Sequence, residues 1–182
     1  MKRPDVLFLE KVYDEPVRFA FDLSFSVSEL GREPLLAISP VRFEGEVSRI
    51  EAGFSLQGRI AYTGQLECSR CLAPYAFEET ESFSLLLYRR APLGAGEREL
   101  EKTDLDAYFY DEPEVAAAPI AEERIQLALP MKPLCRPECR GLCPECGADR
   151  NRDTCSCATE TVDPRWEALR ALAGSGARKS PR

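Results

Sequence analysis

The chain has 182 residues, enough for one ordinary domain and a small appendage. It is 44% hydrophobic and 30% charged, a globular composition that excludes a disordered chain or a membrane-bound one. The net charge of −7 is unevenly placed: residues 130–182 carry ten Lys or Arg against seven acids, a net of +3, which leaves −10 for residues 1–129 and makes that larger part a poor grip for a phosphate backbone.

Residues Met1 to Glu15 hold only the short apolar stretch Val6 to Leu9 between charges. Neither a signal peptide nor a span of ~20 apolar residues is expected, so the chain is expected in the cytoplasm, away from membranes. Val17 to Val27 places Phe19, Phe21, Leu23, Phe25 and Val27 on one parity, which predicts a half-buried strand. Val41, Phe43, Gly45 and Val47 keep one parity until Glu51-Ala-Gly53 predicts a turn. The returning strand, Phe54 to Glu67, puts Phe54, Leu56, Gly58, Ile60, Tyr62, Gly64 and Leu66 on one face, and its glycines at 58 and 64 predict a curled or bulged strand. Cys68 follows at once, and Tyr75 to Tyr88 alternates again.

Ala91 to Asp106, rich in Gly, Glu and Pro, reads as an exposed loop, and Tyr108 with Tyr110 as a short edge strand. A helix is predicted over 119–129, with Pro119 at its first position, Glu122 and Glu123 in its first turn, and Ala121, Ile125, Ala128 and Leu129 on one face. Pro130 and Pro133 end it and deliver the chain to Cys135. Asp163 and Pro164 open a second helix over 164–173, carrying Trp166, Leu169, Leu172 and Ala173, before a basic tail. The expected fold class is α+β: a mainly antiparallel curled β-sheet or partial barrel, one or two short helices and a C-terminal zinc-ribbon-like cysteine element. The expected division is an acidic β domain, 1–130, and a cysteine-rich zinc-binding element, 131–182.

Six of the eight cysteines sit in residues 135–157, as Cys135, Cys139, Cys143, Cys146, Cys155 and Cys157; the other two are Cys68 and Cys71. Where thiols stay reduced, this density reads as metal ligation before disulfides. Four thiolates saturate one Zn²⁺, so eight cysteines can close two structural sites, and one or two zinc ions are expected. The sequence-local partition joins Cys143, Cys146, Cys155 and Cys157 on one ion and Cys68, Cys71, Cys135 and Cys139 on the other. A rival partition joins the two Cys-X-X-Cys pairs, Cys68, Cys71, Cys143 and Cys146; the shorter loop to close favours the first.

Other readings of the same residues compete. A Cys-X-X-Cys pair also fits a thioredoxin-type redox site, but the strand-to-helix context is missing. Iron–sulfur clusters use the same ligands, although zinc is the commoner outcome for Cys-Pro-X-Cys-Gly. Arg136, Arg140, Arg150 and Arg152 interleave with the cysteines as candidate partner-binding residues, and Glu138, Glu145, Asp149 and Asp153 interleave equally. Phe19, Phe21, Phe25, Tyr62 and Phe83 fit a base-stacking face or a core, and the core is favoured because a stacking face would need flanking positive charge. The chain has no histidine, the commonest general base, and no Gly-rich phosphate loop follows a strand. A non-enzyme with no small-molecule substrate is expected.

Leu66-Glu-Cys68-Ser-Arg-Cys71-Leu72, Leu127-Ala-Leu-Pro130, Gly141-Leu-Cys143-Pro-Glu-Cys146-Gly147, Cys155-Ser-Cys157 and Val162-Asp-Pro-Arg165 together resemble the YceD family of bacteria. The resemblance implies a cytosolic non-enzyme needed for accumulation of large-subunit ribosomal RNA, encoded in many bacteria beside a small zinc-ribbon ribosomal protein. The loop after Cys146 departs from the family's commoner Asn-Leu-Asn form. Two functions follow as expectations. One is a factor docking on large-subunit ribosomal RNA precursor, or on an early ribosomal protein, through a zinc-stapled surface; the other is a metal-stabilised module that chaperones a basic ribosomal protein without touching RNA.

Overall fold

A computed structural model describes residues 5–51, 53–90, 107–157 and 165. Among the described residues there are eight strands: β1 (Val6–Phe8), β2 (Val17–Leu23), β3 (Leu35–Ile38), β4 (Val41–Ile50), β5 (Gly53–Glu67), β6 (Pro74–Arg89), β7 (Ala107–Tyr110) and β8 (Glu114–Ala116). Two α-helices, α1 (Val27–Leu30) and α2 (Ala117–Ala128), and a 3-10 turn at Leu9–Lys11 complete the described elements. The main sheet has six strands in the order β2-β4-β5-β6-β7, with β3 pairing the far end of β5. Its pairs are antiparallel except β6 with β7, and the sheet does not close into a barrel. β1 and β8 form a separate two-stranded ribbon.

The alternation in the strands decides which face is covered. Phe43, Val47, Leu56, Ile60, Tyr62, Leu85 and Leu87 are buried and join one core with Leu7 and Val115 from the ribbon, Leu9 from the 3-10 turn and Ile120, Ala121 and Ile125 from α2. Each buried Leu, Ile or Phe of that set contributes about 1.5–3 kcal/mol. The opposite parity, including Arg42, Gln57, Arg59, Ser82 and Ser84, faces solvent. Phe19, Phe21, Phe25 and Phe83 pack against this core and Tyr62 lies within it, so the aromatic stripe is a packing surface. No helix among the described residues is long and apolar enough to cross a membrane.

Several sequence expectations need correction. The strand expected over Val17–Val27 stops at Leu23, because Ser26 caps α1: Glu29 N–H donates to Ser26 Oγ at 3.3 Å and Ser26 N–H to Glu29 Oε2 at 2.7 Å. That hydrogen bonding to the backbone and hydroxyl of Ser26 also holds the Glu29 carboxyl below its usual range. Helix α2 begins at Ala117, directly after β8, and Ala117 N–H donates to Asp5 O at 2.9 Å. Pro119 is therefore third in the helix, still among the positions whose N–H has no intrahelical partner, and Glu122 and Glu123 fall in the second turn. Gly58 marks no bulge, since both registers of β5 run through it without a shift. A Cβ there would stand 2.6 Å from Phe83 Cζ and 3.0 Å from Phe43 Cε2, so the glycine makes room for two rings. The register does shift between Leu35 and Ala37, opposite the Gly64 end of β5. The expected loop over 91–106 and, apart from Arg165, the expected helix over 164–173 lie outside the described residues.

Candidate metal centres

The turn of the β5–β6 hairpin is the first cysteine pair. Glu67 pairs with Pro74, and the residues between them fold so that Cys68 N–H donates to Ala73 O (3.0 Å) and Leu72 N–H to Cys68 O (2.9 Å). The same pattern recurs at the second pair: Cys143 N–H donates to Ala148 O (2.8 Å) and Gly147 N–H to Cys143 O (2.9 Å). In both turns the residue after the second cysteine has a left-handed backbone, Leu72 at φ 57° and Gly147 at φ 73°. Such a turn aims two sulfurs and several N–H groups at one point.

The described sulfurs gather as two groups of four, Cys68, Cys71, Cys135, Cys139 and Cys143, Cys146, Cys155, Cys157, with all atoms of a group within 4.8 Å of one another. The rival grouping of Cys68 and Cys71 with Cys143 and Cys146 does not form. Cys68 lies 3.8 Å from Cys139 and Cys71 lies 3.7 Å from Cys135, sulfur to sulfur. A disulfide needs about 2.05 Å, whereas sulfurs placed tetrahedrally at about 2.3 Å from a zinc stand about 3.8 Å apart. Each group could hold a metal ion, with four ligands and no open position.

The groups differ in depth. Cys68, Cys71 and Cys139 are buried, with Tyr75, Leu134 and Leu142 packed around them. In the second group Cys143 is buried, Cys155 and Cys157 are half-buried and Cys146 is exposed. Helix α2 and its proline exit position the second half of the first group: Ser69 N–H donates to Pro133 O at 2.9 Å. Arg70, between the two cysteines of the hairpin turn, donates through its guanidinium to Cys139 O at 2.7 Å and accepts at its own carbonyl from Leu142 N–H at 3.1 Å. Gly141, at φ 71°, lets the chain pass, since a Cβ would stand 2.9 Å from Arg70 O. The first group thus ties residues on either side of the expected boundary at 130.

The electrostatics of the two groups are graded. Burial pushes the Cys68 thiol up, but N–H groups of Cys135, Cys71 and Arg70 turned toward its sulfur bring it down to about 6. The N–H groups of Cys146 and Glu145 bring Cys143 down to about 6 as well, against burial. Burial, reinforced by Cys139, Cys71 and Cys68, pushes Cys135 up to about 12, and hydrogen bonding to Cys146, with burial, pushes Cys157 up to about 12. Crowded sulfurs cannot all ionise beside one another; a bound dication removes that restriction and releases the remaining protons.

The four candidate arginines all lie on this module. The Arg136 guanidinium donates to Asn151 Oδ1 at 2.9 Å and Arg152 Nε lies 3.6 Å from Asp149, so both are engaged internally. Arg140 is exposed and Arg150 half-buried. Sequence reasoning missed Arg70, Gly141, Asp149 and Asn151 as organisers of the site. The knuckle motif names the sulfurs but not the residues that bridge one knuckle to the next.

Three mycobacterial proteins described as uncharacterized, one from Mycobacterium bovis and one from each of two Mycobacterium tuberculosis strains, are each 30% identical to this chain over 128 residues. The match covers 70% of this chain and 59% of each relative, so the chain spans somewhat over half the length of the curated relatives it matches. No solved structure matches. The model of a family described as large ribosomal RNA subunit accumulation protein YceD matches residues 56–173, from β5 through all eight cysteines. With well over half of its length inside that match, the chain belongs to the YceD family.

Proposed function

We propose that this chain is a non-enzymatic factor supporting accumulation or maturation of large-subunit ribosomal RNA, acting through a docking surface stapled by two structural zinc ions. The family's name supplies the large-subunit role, and it is not a family of known enzymes. The spacing of the sulfurs carries the metal reading: 3.7–3.8 Å pairs suit a tetrahedral ion and leave no coordination position for substrate. All-cysteine ligation favours zinc, and a reducing compartment such as the cytoplasm favours the free thiols. The ligands are Cys68, Cys71, Cys135 and Cys139 on one ion and Cys143, Cys146, Cys155 and Cys157 on the other. Arg136, Arg140, Arg150 and Arg152 present the docking face to ribosomal RNA precursor or to an early ribosomal protein.

One observation favours the second reading, a chaperone for a basic ribosomal protein. A Zn²⁺ with four thiolates carries about −2, so two loaded centres take the chain from −7 to about −11 and cancel the excess of Lys and Arg at its C-terminal end. Arg136 and Arg152 are moreover already engaged. A salt titration of the metal-loaded chain against large-subunit ribosomal RNA separates the two. Affinity that falls steeply between about 50 and about 200 mM salt supports RNA docking. Failure to bind RNA at any salt, with retention of a basic ribosomal protein, sinks it in favour of the chaperone.

A further inference from the structure

Asn151 lies in the loop that joins Cys146 to Cys155, so by sequence it belongs to the second centre. Its side chain serves the first. Asn151 Nδ2 donates to Cys139 Sγ at 3.4 Å, while Asn151 Oδ1 accepts from Arg140 N–H at 2.8 Å and from the Arg136 guanidinium at 2.9 Å. Both partners on the oxygen side are donors only, and both on the nitrogen side, the Cys139 sulfur and Asp149 Oδ1 at 2.7 Å, are acceptors. The amide orientation is thereby fixed. Asp149 Oδ1 also receives Asn151 N–H at 2.9 Å, and Arg150 N–H donates to Gly141 O at 3.0 Å, so the loop is seated against the segment carrying Cys139.

From this geometry we infer that Asn151 is a positioning residue that couples the two centres, making them one two-metal unit. The inference rests on the reading that both groups hold metal. A donor placed on a coordinating sulfur moderates its charge and fixes its direction, and partners of this kind typically change metal affinity by 10–100-fold. Cys143, Cys146, Cys155 and Cys157 gather at the base of this loop, so closing them on an ion holds Asn151 within reach of Cys139. Metal in the second centre therefore strengthens the hold of the first, and by linkage metal in the first strengthens the hold of the second.

The test uses the full chain loaded with cadmium, read by cadmium-113 resonance and by competition with a chelator. Wild type shows two resonances. Asn151→Ala shifts the resonance of the first centre and makes its metal about tenfold easier to remove, while the resonance of the second stays in place. Asn151→Asp, which keeps the accepting oxygen but loses the donor, behaves the same way. Cys146→Ser, which opens the second centre, weakens the first by a similar factor, and adding Asn151→Ala to it weakens the first no further. Unchanged retention at the first centre in Asn151→Ala or in Asn151→Asp, or additive losses in the double variant, overturns the coupling. A wild-type chain that takes up no cadmium overturns the metal reading itself, which separates the two failures.

Discussion

Leu72 and Gly147 occupy the same place in two turns with the same hydrogen bonds, yet only one of them is glycine. The left-handed backbone costs a side-chain-bearing residue about 1–2 kcal/mol, and Leu72 recovers little of it by burial, being 55% exposed. Leu72→Gly is expected to stabilise the metal-loaded protein by up to about 1 kcal/mol, once the greater freedom of glycine in the unfolded chain is subtracted. A denaturant midpoint that rises checks this; one that falls shows that contacts of the Leu72 side chain outweigh the strain. The cysteines give a second expectation. In the metal-free, reduced protein, Cys68 and Cys143 are depressed from 9.0 to about 6. A depressed thiol adds stability that is complete above its unfolded value and is lost as pH falls through the folded one. Thiolate absorbance should therefore show an early wave near pH 6, with stability declining from about pH 9 down to that point; a single wave near 9 would contradict it.

Among elements, the long strands and the cysteine pairs were legible, because period-two alternation over β4, β5 and β6 is strong and the sulfurs declare their chemistry by spacing. The short ribbon of β1 and β8 was not, since three residues cannot display a period. Helix α1 was hidden by an alternation that ran on to Val27, although Ser26 and Glu29 carry a capping box. The start of α2 was misplaced because Pro119 suits any of the first positions. Arg70 and Asn151 were invisible for a different reason: each acts on Cys139 from a different turn, and no local sequence pattern announces such a contact. The sheet owes its stability to apolar burial, and the described residues beyond Pro133 include few buried side chains besides the sulfurs. Chelation of the reduced protein should accordingly loosen residues 135–157, seen as rapid amide exchange, while the β signal in circular dichroism persists. Loss of the β signal together with the metal would show that the sheet depends on the centres.

For the whole molecule, an open sheet with one covered face carries its cysteine module at the tip of its longest hairpin, and the charge is strongly negative on the strand-bearing part. Membership of the YceD family is legible in several short motifs occurring in one order, not in the fold, which by itself names no activity. The first centre has a consequence for how the protein is made. Its sulfur pairs are 64 and 71 residues apart in the chain, whereas β5 and β6 meet through a turn of a few residues. During translation the hairpin can pair as soon as it emerges, leaving Cys68 and Cys71 as an open two-sulfur clasp until Cys139 has been synthesised. Over that interval the clasp is exposed to oxidants and to stray metal from which the finished protein shields it. The earliest moment at which the four sulfurs can gather is therefore set by the progress of the polypeptide.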